Sequence, residues 1–440
     1  MTKKIKHALV LGLGASGRGA VRLLLAEGVP VTAVDSQPVL DAARFLEKDG
    51  AHVLAGCGAL PGGSFDLAVV SPGIAEDHSW VTSLKERGIP CISELELGWS
   101  RCRGRVWAIT GSNGKSTLVK CCADSLTRAG RRARISGNYG LSFCEQVAED
   151  PSADDWVLEV SSFQLETVCR FRPDIGILLN VLPNHLDRHG TMQHYLELKL
   201  RMFARMRPKD VCIVPAPLAW ACGRSAVTFG PEEAAQFRWL DGRVVHDGKT
   251  VADYTGTLFD NDVMGPSLAA LSAAFAGAAV DLRFAEEAVR LFEPLPHRMQ
   301  PAGTARGVEF VNNSKATNIA ALAASLKMTK KPVRLIAGGQ AKEERFEEIK
   351  DLLAKRVQSA YLIGRDSEKM SSAWSGAVPC RLCGNLEQAI RAAWADARPG
   401  EVVLLAPACT SYDQFRDFAE RGEQFMRLAA AMVKETENEK

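Results

Sequence analysis

The sequence predicts an α/β protein of three domains built on largely parallel sheets. The chain has 440 residues, which at the usual ~150 residues per domain corresponds to about three domains. Apolar runs of strand length alternate with helical patterns along almost the whole chain, which is typical of parallel sheets covered by helices. Glycine-rich turns follow two of these runs, as they do where strands lead into nucleotide-binding helices.

Two breaks in this alternation set the expected domain limits. A helix-like segment ends near Gly98, and prolines interrupt the chain at Pro294 to Pro296. We therefore expect a Rossmann-like N-terminal domain over residues 1–98, a central domain with a P-loop ATPase-like parallel sheet over 99–295, and a Rossmann-like C-terminal α/β domain over 296–440.

The expected strands are the apolar runs themselves. They are Ala8 to Leu11, Val31 to Val34, Leu67 to Val70, Val106 to Ile109, Trp156 to Val160, Ile175 to Leu179, Val211 to Val214, Val333 to Ala337, Ala360 to Ile363 and Val402 to Leu405. The segment Thr228 to Asn261 differs, because short strands there alternate with turns at Asp241-Gly242 and Asp247-Gly248. Asp-Gly pairs favour tight hairpins, so we expect a small antiparallel insertion in the central domain.

Composition excludes several classes of protein. Hydrophobic residues make up 46% of the chain and charged residues 24%, which excludes a disordered chain. A net charge of +2 provides no global field for nucleic acid or an acidic membrane, so we expect neither partner. No apolar run approaches the ~20 residues of a membrane span, and no signal-type leader is found, so we expect a cytoplasmic protein.

The first candidate site is a glycine turn. Gly12-Leu13-Gly14-Ala15-Ser16-Gly17 follows the first expected strand, and Asp35 ends the second. Such glycines let the backbone approach a phosphate at a helix N-terminus, and the acid can accept hydrogen bonds from a sugar hydroxyl. Taken alone, the pattern favours a nicotinamide or flavin enzyme, with tight strand-to-helix packing and no ligand as the alternative.

The second candidate site is a phosphate loop. The strand Val106 to Ile109 leads into Thr110-Gly111-Ser112-Asn113-Gly114-Lys115-Ser116-Thr117 and then a helix. Backbone N–H groups would cradle phosphates, Lys115 would neutralise the terminal ones and Ser116 would reach Mg²⁺. Only two residues separate the glycines, instead of the usual four, so this is a variant loop that we still expect to bind a nucleotide.

Polar residues at two further strand ends are candidate metal ligands. Glu159 lies at the end of one strand, and His185 follows another in Pro183-Asn184-His185-Leu186-Asp187. In a parallel sheet these ends meet at the same edge as the phosphate loop, where a carboxylate and an imidazole could bind a metal. A loop histidine without that setting is more often structural.

Lys199 lies in an apolar helical stripe. Tyr195, Leu196, Met202, Phe203 and Met206 share its helix face. Burial penalises a cationic lysine, so its pKa should fall, and the neutral amine could then add CO₂. The resulting carbamate would provide oxygen ligands for a metal. The alternative, which the spacing alone favours, is that the amine reaches solvent along its flexible chain.

These segments together resemble those of the bacterial Mur ligases, and the likeness extends over essentially the whole chain. The motifs that carry it are the glycine turn, the phosphate loop, Glu159-Val160-Ser161-Ser162-Phe163-Gln164-Leu165-Glu166, His185-Leu186-Asp187-Arg188, Tyr195-x-x-x-Lys199-x-Arg201, Pro296-His297-Arg298, Ser314-Lys315-Ala316-Thr317-Asn318 and Pro407-Ala408-Cys409-x-Ser411-x-Asp413-Gln414-Phe415. The resemblance replaces the nicotinamide interpretation, because in this family the N-terminal domain holds the UDP of the substrate.

The resemblance implies an ATP-dependent amide ligase of the cytoplasmic stage of peptidoglycan synthesis. Its substrates would be UDP-N-acetylmuramoyl-L-alanine and D-glutamate, its cofactors ATP, Mg²⁺ and a CO₂-derived carbamate on Lys199, and we expect a monomer. The alternatives are another Mur or folylpolyglutamate-type ligase that adds a different amino acid, a dinucleotide-dependent oxidoreductase, or a non-catalytic nucleotide-binding protein.

The resemblance also implies the residues of each site. Catalysis would use Lys115, Glu159, His185 and Lys199. ATP would be bound by Gly111, Ser112, Asn113, Gly114, Lys115, Ser116, Thr117, Arg298 and Asn313. The UDP-linked substrate would contact Gly14, Ala15, Ser16, Asp35, Ser36, Ser71 and Asn138. D-Glutamate would contact Lys315, Thr317, Lys342, Ser411 and Phe418. One metal ion would be held by Ser116 and Glu159, and a second by His185 and carbamylated Lys199.

The chain departs from the family pattern at several positions. Asn313 and Asn184 stand where acids are usual, and Gln300 stands where Glu is common. The usual Gly-x-His-Asn-x-x-Asn segment has no equivalent around Val263 to Ser267. We expect these changes to affect nucleotide affinity and base selectivity.

Overall fold

The computed structural model describes residues 5–38, 40–223, 225–341 and 345–438. It confirms the predicted α/β fold, with three separate sheets covered by helices. Lys342, one of the expected D-glutamate contacts, lies outside the described residues. Each of the ten expected apolar runs forms a strand.

The strands of the described residues are β1 (Ala8–Leu11), β2 (Val31–Asp35), β3 (His52–Ala55), β4 (Leu67–Val70), β5 (Cys91–Ser93), β6 (Arg103–Thr110), β7 (Ala133–Gly137), β8 (Ser152–Glu159), β9 (Ile175–Leu178), β10 (Val211–Pro215), β11 (Val227–Gly230), β12 (Phe237–Leu240), β13 (Arg243–His246), β14 (Lys249–Asp253), β15 (Gln300–Ala305), β16 (Val308–Asn312), β17 (Val333–Gly338), β18 (Val357–Ile363), β19 (Cys380–Gly384) and β20 (Val402–Leu405).

The helices are α1 (Ala15–Ala26), α2 (Leu40–Lys48), α3 (Ser79–Glu86), α4 (Glu94–Trp99), α5 (Lys115–Arg128), α6 (Phe143–Glu149), α7 (Ser162–Leu165), α8 (Leu186–His189), α9 (Met192–Leu200), α10 (Gly265–Gly277), α11 (Arg283–Arg290), α12 (Ile319–Met328), α13 (Lys350–Arg356), α14 (Ser367–Ala373), α15 (Leu386–Asp396) and α16 (Phe418–Asn438). Short 3₁₀ turns lie at Arg201–Phe203, Ala216–Cys222 and Phe346–Ile349.

The first sheet has the order β3-β2-β1-β4-β5, and all of its pairings are parallel. Strands β1 and β4 are buried along their whole length, which is why they read as continuous apolar runs in the sequence. The glycine turn and the loop that begins at Ser71 leave the carboxyl ends of these two neighbouring strands. The sheet therefore brings both segments to one edge, where open α/β sheets bind ligands.

The second sheet has the order β14-β13-β12-β11-β10-β9-β6-β8-β7. The pairings among β6 to β12 are all parallel, and only the pairings of β12 with β13 and of β13 with β14 are antiparallel. The expected antiparallel insertion is therefore shorter than predicted, because β11 continues the parallel sheet at Val227–Gly230. Both Asp-Gly pairs form the hairpin turns, with positive φ at Asp241 and Asp247.

The third sheet has the order β15-β16-β20-β17-β18-β19. Its pairings are parallel except for the edge strand β15, which runs antiparallel to β16. Because β16 and β20 are neighbours, the loops that follow them, at Asn313 and at Ala406, leave the same edge of the sheet.

The chain divides into two compact units by its contacts. The first comprises residues 1–181 and 189–292, and the second comprises 182–188 and 293–440. The first unit thus contains both the first and the second sheet, and the limits of the three expected domains stay predictions. Among the described residues, no helix combines the length and the apolar character that a membrane crossing needs.

Candidate functional site

The glycine turn of the first sheet is held in place from three sides. Gly12 has φ +85, and Ser71 Oγ donates a hydrogen bond to its carbonyl oxygen at 3.0 Å. A Cβ on Gly17 would lie 1.8 Å from the same oxygen, so only glycine permits this approach. Asp35 accepts hydrogen bonds from the backbone N–H of Leu13 at 2.7 Å and of Gln37 at 2.8 Å. The acid predicted to meet a sugar thus also shapes the turn.

Of the remaining residues expected to contact the UDP-linked substrate, Gly14, Ala15 and Ser16 lie in this turn and Ser36 follows Asp35. Asn138 lies elsewhere, bonded to Glu159 at the second sheet. Gly14, Ala15 and Ser36 are exposed, and Ser16 is half-buried at the start of α1. Backbone N–H groups at a helix N-terminus can bind a phosphate. The geometry therefore suits the predicted role, which stays a prediction.

The phosphate loop joins β6 to α5 in the second sheet, and an asparagine from the next strand end holds it. Asn180 Oδ1 accepts hydrogen bonds from the backbone N–H of Ser112 and of Asn113, both at 3.0 Å, and its amide donates to the Asn113 carbonyl at 3.0 Å. Sequence reasoning assigned no role to Asn180. The signal was a polar residue after an apolar strand, the same signal that identified Glu159.

Lys115 and Ser116 point to different partners. Lys115 Nζ donates to the carbonyls of Gly111 at 2.9 Å and Ser112 at 3.1 Å. Ser116 Oγ donates to one carboxylate oxygen of Glu159, and Asn138 Nδ2 donates to the other at 2.7 Å. The structure therefore brings together a hydroxyl, a carboxylate and an amide that the sequence placed in three separate segments.

Lys199 is buried beside this cluster. Only 1% of the residue is exposed, so the alternative of an amine that reaches solvent is wrong. Its amine lies 4.4 Å from the centre of the Tyr195 ring, and the Tyr195 hydroxyl shares a hydrogen bond of 3.2 Å with Ser112 Oγ. Burial lowers the pKa of the Lys199 amine well below its ordinary value, the charge of Lys115 lowers it further, and Glu159 acts in the opposite direction.

The two histidines of the segment 185–189 have different settings. His185, the predicted metal ligand, is half-buried with φ +57 and belongs to the second unit. His189 is buried in the first unit, where it shares a hydrogen bond of 3.0 Å with Ser162 Oγ and stacks on Tyr195 with ring centres 5.3 Å apart. Sequence reasoning missed His189. Its role in supporting Tyr195 depends on a contact between separate segments that no spacing in the sequence reveals.

The second unit gathers the residues expected to bind D-glutamate at the edge of the third sheet. Lys315 follows β16, and its amine lies 3.7 Å from the centre of the Phe418 ring. Ser411 is buried in the loop after β20, and Thr317 is half-buried near Lys315. Arg298, expected at an ATP phosphate, is half-buried between two residues with positive φ, His297 and Met299.

A buried arginine, which sequence reasoning also missed, connects these loops. Arg421 has no exposed surface, and its guanidinium donates to Ser314 Oγ and the Ser314 carbonyl, both at 2.9 Å, and to the Cys409 carbonyl at 3.2 Å. Burial lowers its pKa to about 10. The signal was available, since Arg421 shares a helix face with Phe418 and Phe425, as Lys199 does with its apolar neighbours.

Two of the residues that depart from the family pattern, Asn313 and Gln300, form hydrogen bonds in the structure. Asn313 Oδ1 accepts from the Met299 N–H at 3.2 Å, and Asn313 Nδ2 donates to Ser325 Oγ at 2.7 Å. Gln300 Oε1 accepts from the His297 N–H at 2.9 Å. Both amides therefore hold the turn around Arg298, and neither bond requires a charged side chain.

The fold and these sites are typical of a nucleotide-binding α/β enzyme, and comparison with known proteins identifies its family. Residues 6–93 match the family described as Mur ligase MurD-like, N-terminal domain. Residues 109–263 match the Mur ligase middle domain, and residues 297–409 match the Mur ligase, glutamate ligase domain. The chain belongs to the Mur ligase family, as its motifs suggested.

Individual relatives agree with this assignment. The chain is 37% identical to a UDP-N-acetylmuramoylalanine–D-glutamate ligase of Acidobacterium capsulatum, covering 98% of this chain and 97% of the relative. It is 38% identical to the protein of the same name from Nitratidesulfovibrio vulgaris, covering 97% and 96%. The solved UDP-N-acetylmuramate-alanine ligase of Thermotoga maritima aligns with a TM-score of 0.60 at 15% identity, over 99% of this chain and 100% of that one, which shows the shared fold.

Proposed function

We propose that this chain is an ATP-dependent ligase that joins D-glutamate to the alanine carboxyl of UDP-N-acetylmuramoyl-L-alanine. The observation that carries the proposal is the identity, over nearly the whole chain, with relatives whose names state this activity. Membership in the Mur ligase family favours a ligase over an oxidoreductase or a non-catalytic binding protein. We further propose that it acts as a monomer in the cytoplasm, at the stage of peptidoglycan synthesis that uses nucleotide-linked precursors.

The proposed reaction has two steps. The alanine carboxylate attacks the terminal phosphorus of ATP, which forms an acyl phosphate and releases ADP. The amine of D-glutamate then attacks the acyl carbon, the C–N bond forms, and phosphate leaves while the amine loses its proton. Each step brings anions together, so the chain must supply positive charge and orientation.

Lys115 is the residue proposed to offset charge on the phosphates of ATP. Its amine donates to carbonyls of its own loop, so it is already directed at the segment that would cradle the phosphates. The N–H groups of Ser112 and Asn113 donate to Asn180 Oδ1, which orders the backbone of the loop before ATP binds. These contacts support the proposal that the loop binds the phosphates of ATP and that Lys115 offsets their charge.

The cluster of Ser116 and Glu159 suits Mg²⁺. Magnesium prefers oxygen ligands and usually combines one or two carboxylates with substrate phosphates and water. A buried carboxylate in contact with a hydroxyl offers this chemistry, and no group of three or more His, Cys, Asp or Glu that could hold a metal by itself occurs among the described residues. Bound there, Mg²⁺ would supply positive charge that offsets the charge of the transferring phosphoryl group.

Lys199 suits a carbamate. An amine that is buried, next to the charge of Lys115 and shifted to a lower pKa can be neutral at physiological pH, and a neutral amine is the form that adds CO₂. The carbamate would turn a cation near a metal site into an oxygen ligand for a second Mg²⁺.

In the second unit, Lys315, Thr317 and Ser411 would receive the carboxylates of D-glutamate. The amine of Lys315 and the hydroxyls of Thr317 and Ser411 are hydrogen-bond donors on two adjacent loops. Arg421 joins these loops, because it donates to Ser314 in one and to the Cys409 carbonyl in the other. Lys342 is proposed as a further contact.

Substrate specificity is tested by measuring ADP release with UDP-N-acetylmuramoyl-L-alanine and one amino acid at a time. We expect turnover with D-glutamate and little with L-lysine, diaminopimelate or L-alanine. Faster turnover with any of these three would assign the chain to another amino-acid specificity. No turnover with any of the four amino acids, D-glutamate included, would contradict the proposed function itself. Reduction of a nicotinamide cofactor without ATP would also contradict it.

The carbamate leads to a prediction for Lys199→Ala. We expect the variant to fold but to lose nearly all activity, and acetate or formate to restore part of the rate by replacing the missing oxygens. Independently of activity, ¹³C NMR of wild type with ¹³CO₂ should show one labelled group that Lys199→Ala lacks.

The matched control is Lys120→Ala, which removes a half-buried lysine paired with Asp124 and should keep both rate and label. An active wild type that shows no carbamate signal in the presence of bicarbonate would overturn this part of the proposal.

A further inference from the structure

A forked ion pair connects the first sheet to the second within the first unit. The guanidinium of Arg201 donates to the two carboxylate oxygens of Glu76, at 2.9 Å from Nη1 and 3.2 Å from Nη2. Nη1 also donates to the Glu166 carbonyl at 2.5 Å, and the Glu76 N–H donates to the Glu166 carboxylate at 3.2 Å. Three residues from three segments therefore form one closed arrangement, and the proposed mechanism uses none of them.

On one side, this arrangement holds the end of the loop that begins at Ser71. Ser71 is an expected contact of the UDP-linked substrate, its hydroxyl binds the Gly12 carbonyl, and its own N–H donates to Leu11 at 2.9 Å. Glu76 lies only five residues further along the chain. The loop is thus fixed to the glycine turn at its start and to the second sheet at its end.

On the other side, the arrangement holds the end of α9. Arg201 is the C-cap of this helix, and its backbone N–H donates to carbonyls that include those of Leu198 and Lys199. Lys199 lies two residues before it and is buried. A guanidinium fixed by Glu76 therefore sets where the last turn of α9, and with it Lys199, lies relative to the loop.

The ion pair of Glu76 and Arg201 fixes the direction of the two side chains but contributes little to the stability of the protein. Burial alone would raise the pKa of the Glu76 carboxyl, but its hydrogen bonds and charge interaction with Arg201, aided by Lys85 and His194, leave that pKa below its ordinary value. The side chains of Arg201 and Glu76 are 36% and 30% exposed, and solvent screens an ion pair at that exposure. A planar guanidinium still fixes direction, which a lysine ammonium cannot do.

We propose that Glu76 and Arg201 are positioning residues for the ligase reaction, whose ion pair holds the substrate loop from Ser71 to Glu76 in register with the helix end that carries Lys199. This inference rests on the proposed function. A carboxylate brought by one domain must meet a phosphoryl group held by another, and small errors in such a placement are costly in rate.

The test compares Arg201→Lys and Glu76→Gln with wild type. Arg201→Lys keeps the charge but loses the fork, and Glu76→Gln keeps the size of the side chain but loses the charge. We expect each to raise KM for UDP-N-acetylmuramoyl-L-alanine roughly three- to tenfold and to lower kcat. The Kd of ATP, measured without the UDP-linked substrate, should not change, and the double variant should be little worse than either single one.

The matched control is Glu145→Gln, which removes another ion pair between the same two sheets, that of Glu145 with Arg22. We expect this variant to leave the KM for UDP-N-acetylmuramoyl-L-alanine, the kcat and the Kd of ATP unchanged. If Arg201→Lys and Glu76→Gln behave like this control, or if their effects on KM add independently, the inference is wrong. An inactive wild type would instead contradict the proposed function, so the two failures are distinguishable.

Discussion

The glycine turn of the first sheet and the phosphate loop of the second share one local design. In each, a buried parallel strand ends in glycines with positive φ, Gly12 in one and Gly111 and Gly114 in the other, and a helix begins at once. Each loop therefore directs backbone N–H groups beyond the carboxyl end of a strand in its own sheet, which is a geometry that suits an anion.

The two loops differ in what surrounds them. An acid, Asp35, accepts the Leu13 N–H of the glycine turn, whereas a neutral amide, Asn180, fixes the phosphate loop and leaves Lys115 as its charge. A buried lysine and a carboxylate lie beside the second loop, and the first has Ser71. The two loops thus share a backbone geometry that suits an anion, and they differ in the side chains that the neighbouring strand ends supply.

The largest expected effect comes from removing the positive charge that distinguishes the phosphate loop from the glycine turn. Lys115→Ala should lower ATP turnover on the order of 1,000-fold, because the positive charge at the terminal phosphates is lost while little packing is removed. Steady-state ADP release measures the rate, and circular dichroism checks the fold. Lys120→Ala on the same helix is the control and should retain its rate. Near-normal turnover in folded Lys115→Ala would mean that the phosphate loop is misassigned.

A second prediction concerns backbone packing in the glycine turn. Gly17→Ala should destabilise the protein by about 1–3 kcal/mol, because the new Cβ would overlap the Gly12 carbonyl. Gly14→Ala is the matched control for stability, since a Cβ there meets nothing within 4 Å. Urea unfolding midpoints compare the two variants. Equal midpoints would contradict the close helix–strand approach.

The smallest effect tests whether the loops serve different ligands. Asp35→Ala should raise KM for the UDP-linked substrate on the order of tenfold, because the turn loses the acceptor of the Leu13 and Gln37 N–H groups. The Kd of ATP should not change. Asp35→Asn, which keeps one acceptor oxygen, should fall between wild type and Asp35→Ala. A matched loss of ATP affinity would show that the loops are not independent.

The expected strands and the missed ones differ in their position within the sheets. The ten apolar runs all form strands, whereas five edge strands, β3, β5, β7, β15 and β19, and one inner strand, β16, were not predicted. An edge strand is covered less completely, so it lacks a continuous apolar run, and β3 is exposed or half-buried throughout. In β16 buried residues alternate with half-buried ones, so it also lacks a continuous apolar run. β11 was assigned to the antiparallel insertion for a different reason, because its sequence does not reveal which strands it pairs with.

The sequence by itself determined the local chemistry of this protein. Glycines at Gly12, Gly17 and Gly114 dictate the loop geometry, Lys115 and Ser116 follow in register, and Asp241 and Asp247 dictate the hairpins. These features depend on backbone conformations and on residues within a few positions of one another, so the order of the chain is enough to specify them.

Only the tertiary structure decided which side chains share a site. Spacing alone favoured a Lys199 amine that reaches solvent, whereas the fold buries this amine and places it near Lys115 and Glu159, which are distant in the sequence. The contacts of Glu159 with Ser116, and of Glu76 with Arg201, likewise join residues separated by 43 and 125 positions. The physical reason is that burial and charge pairing depend on distances in space, which the order of residues along the chain does not fix.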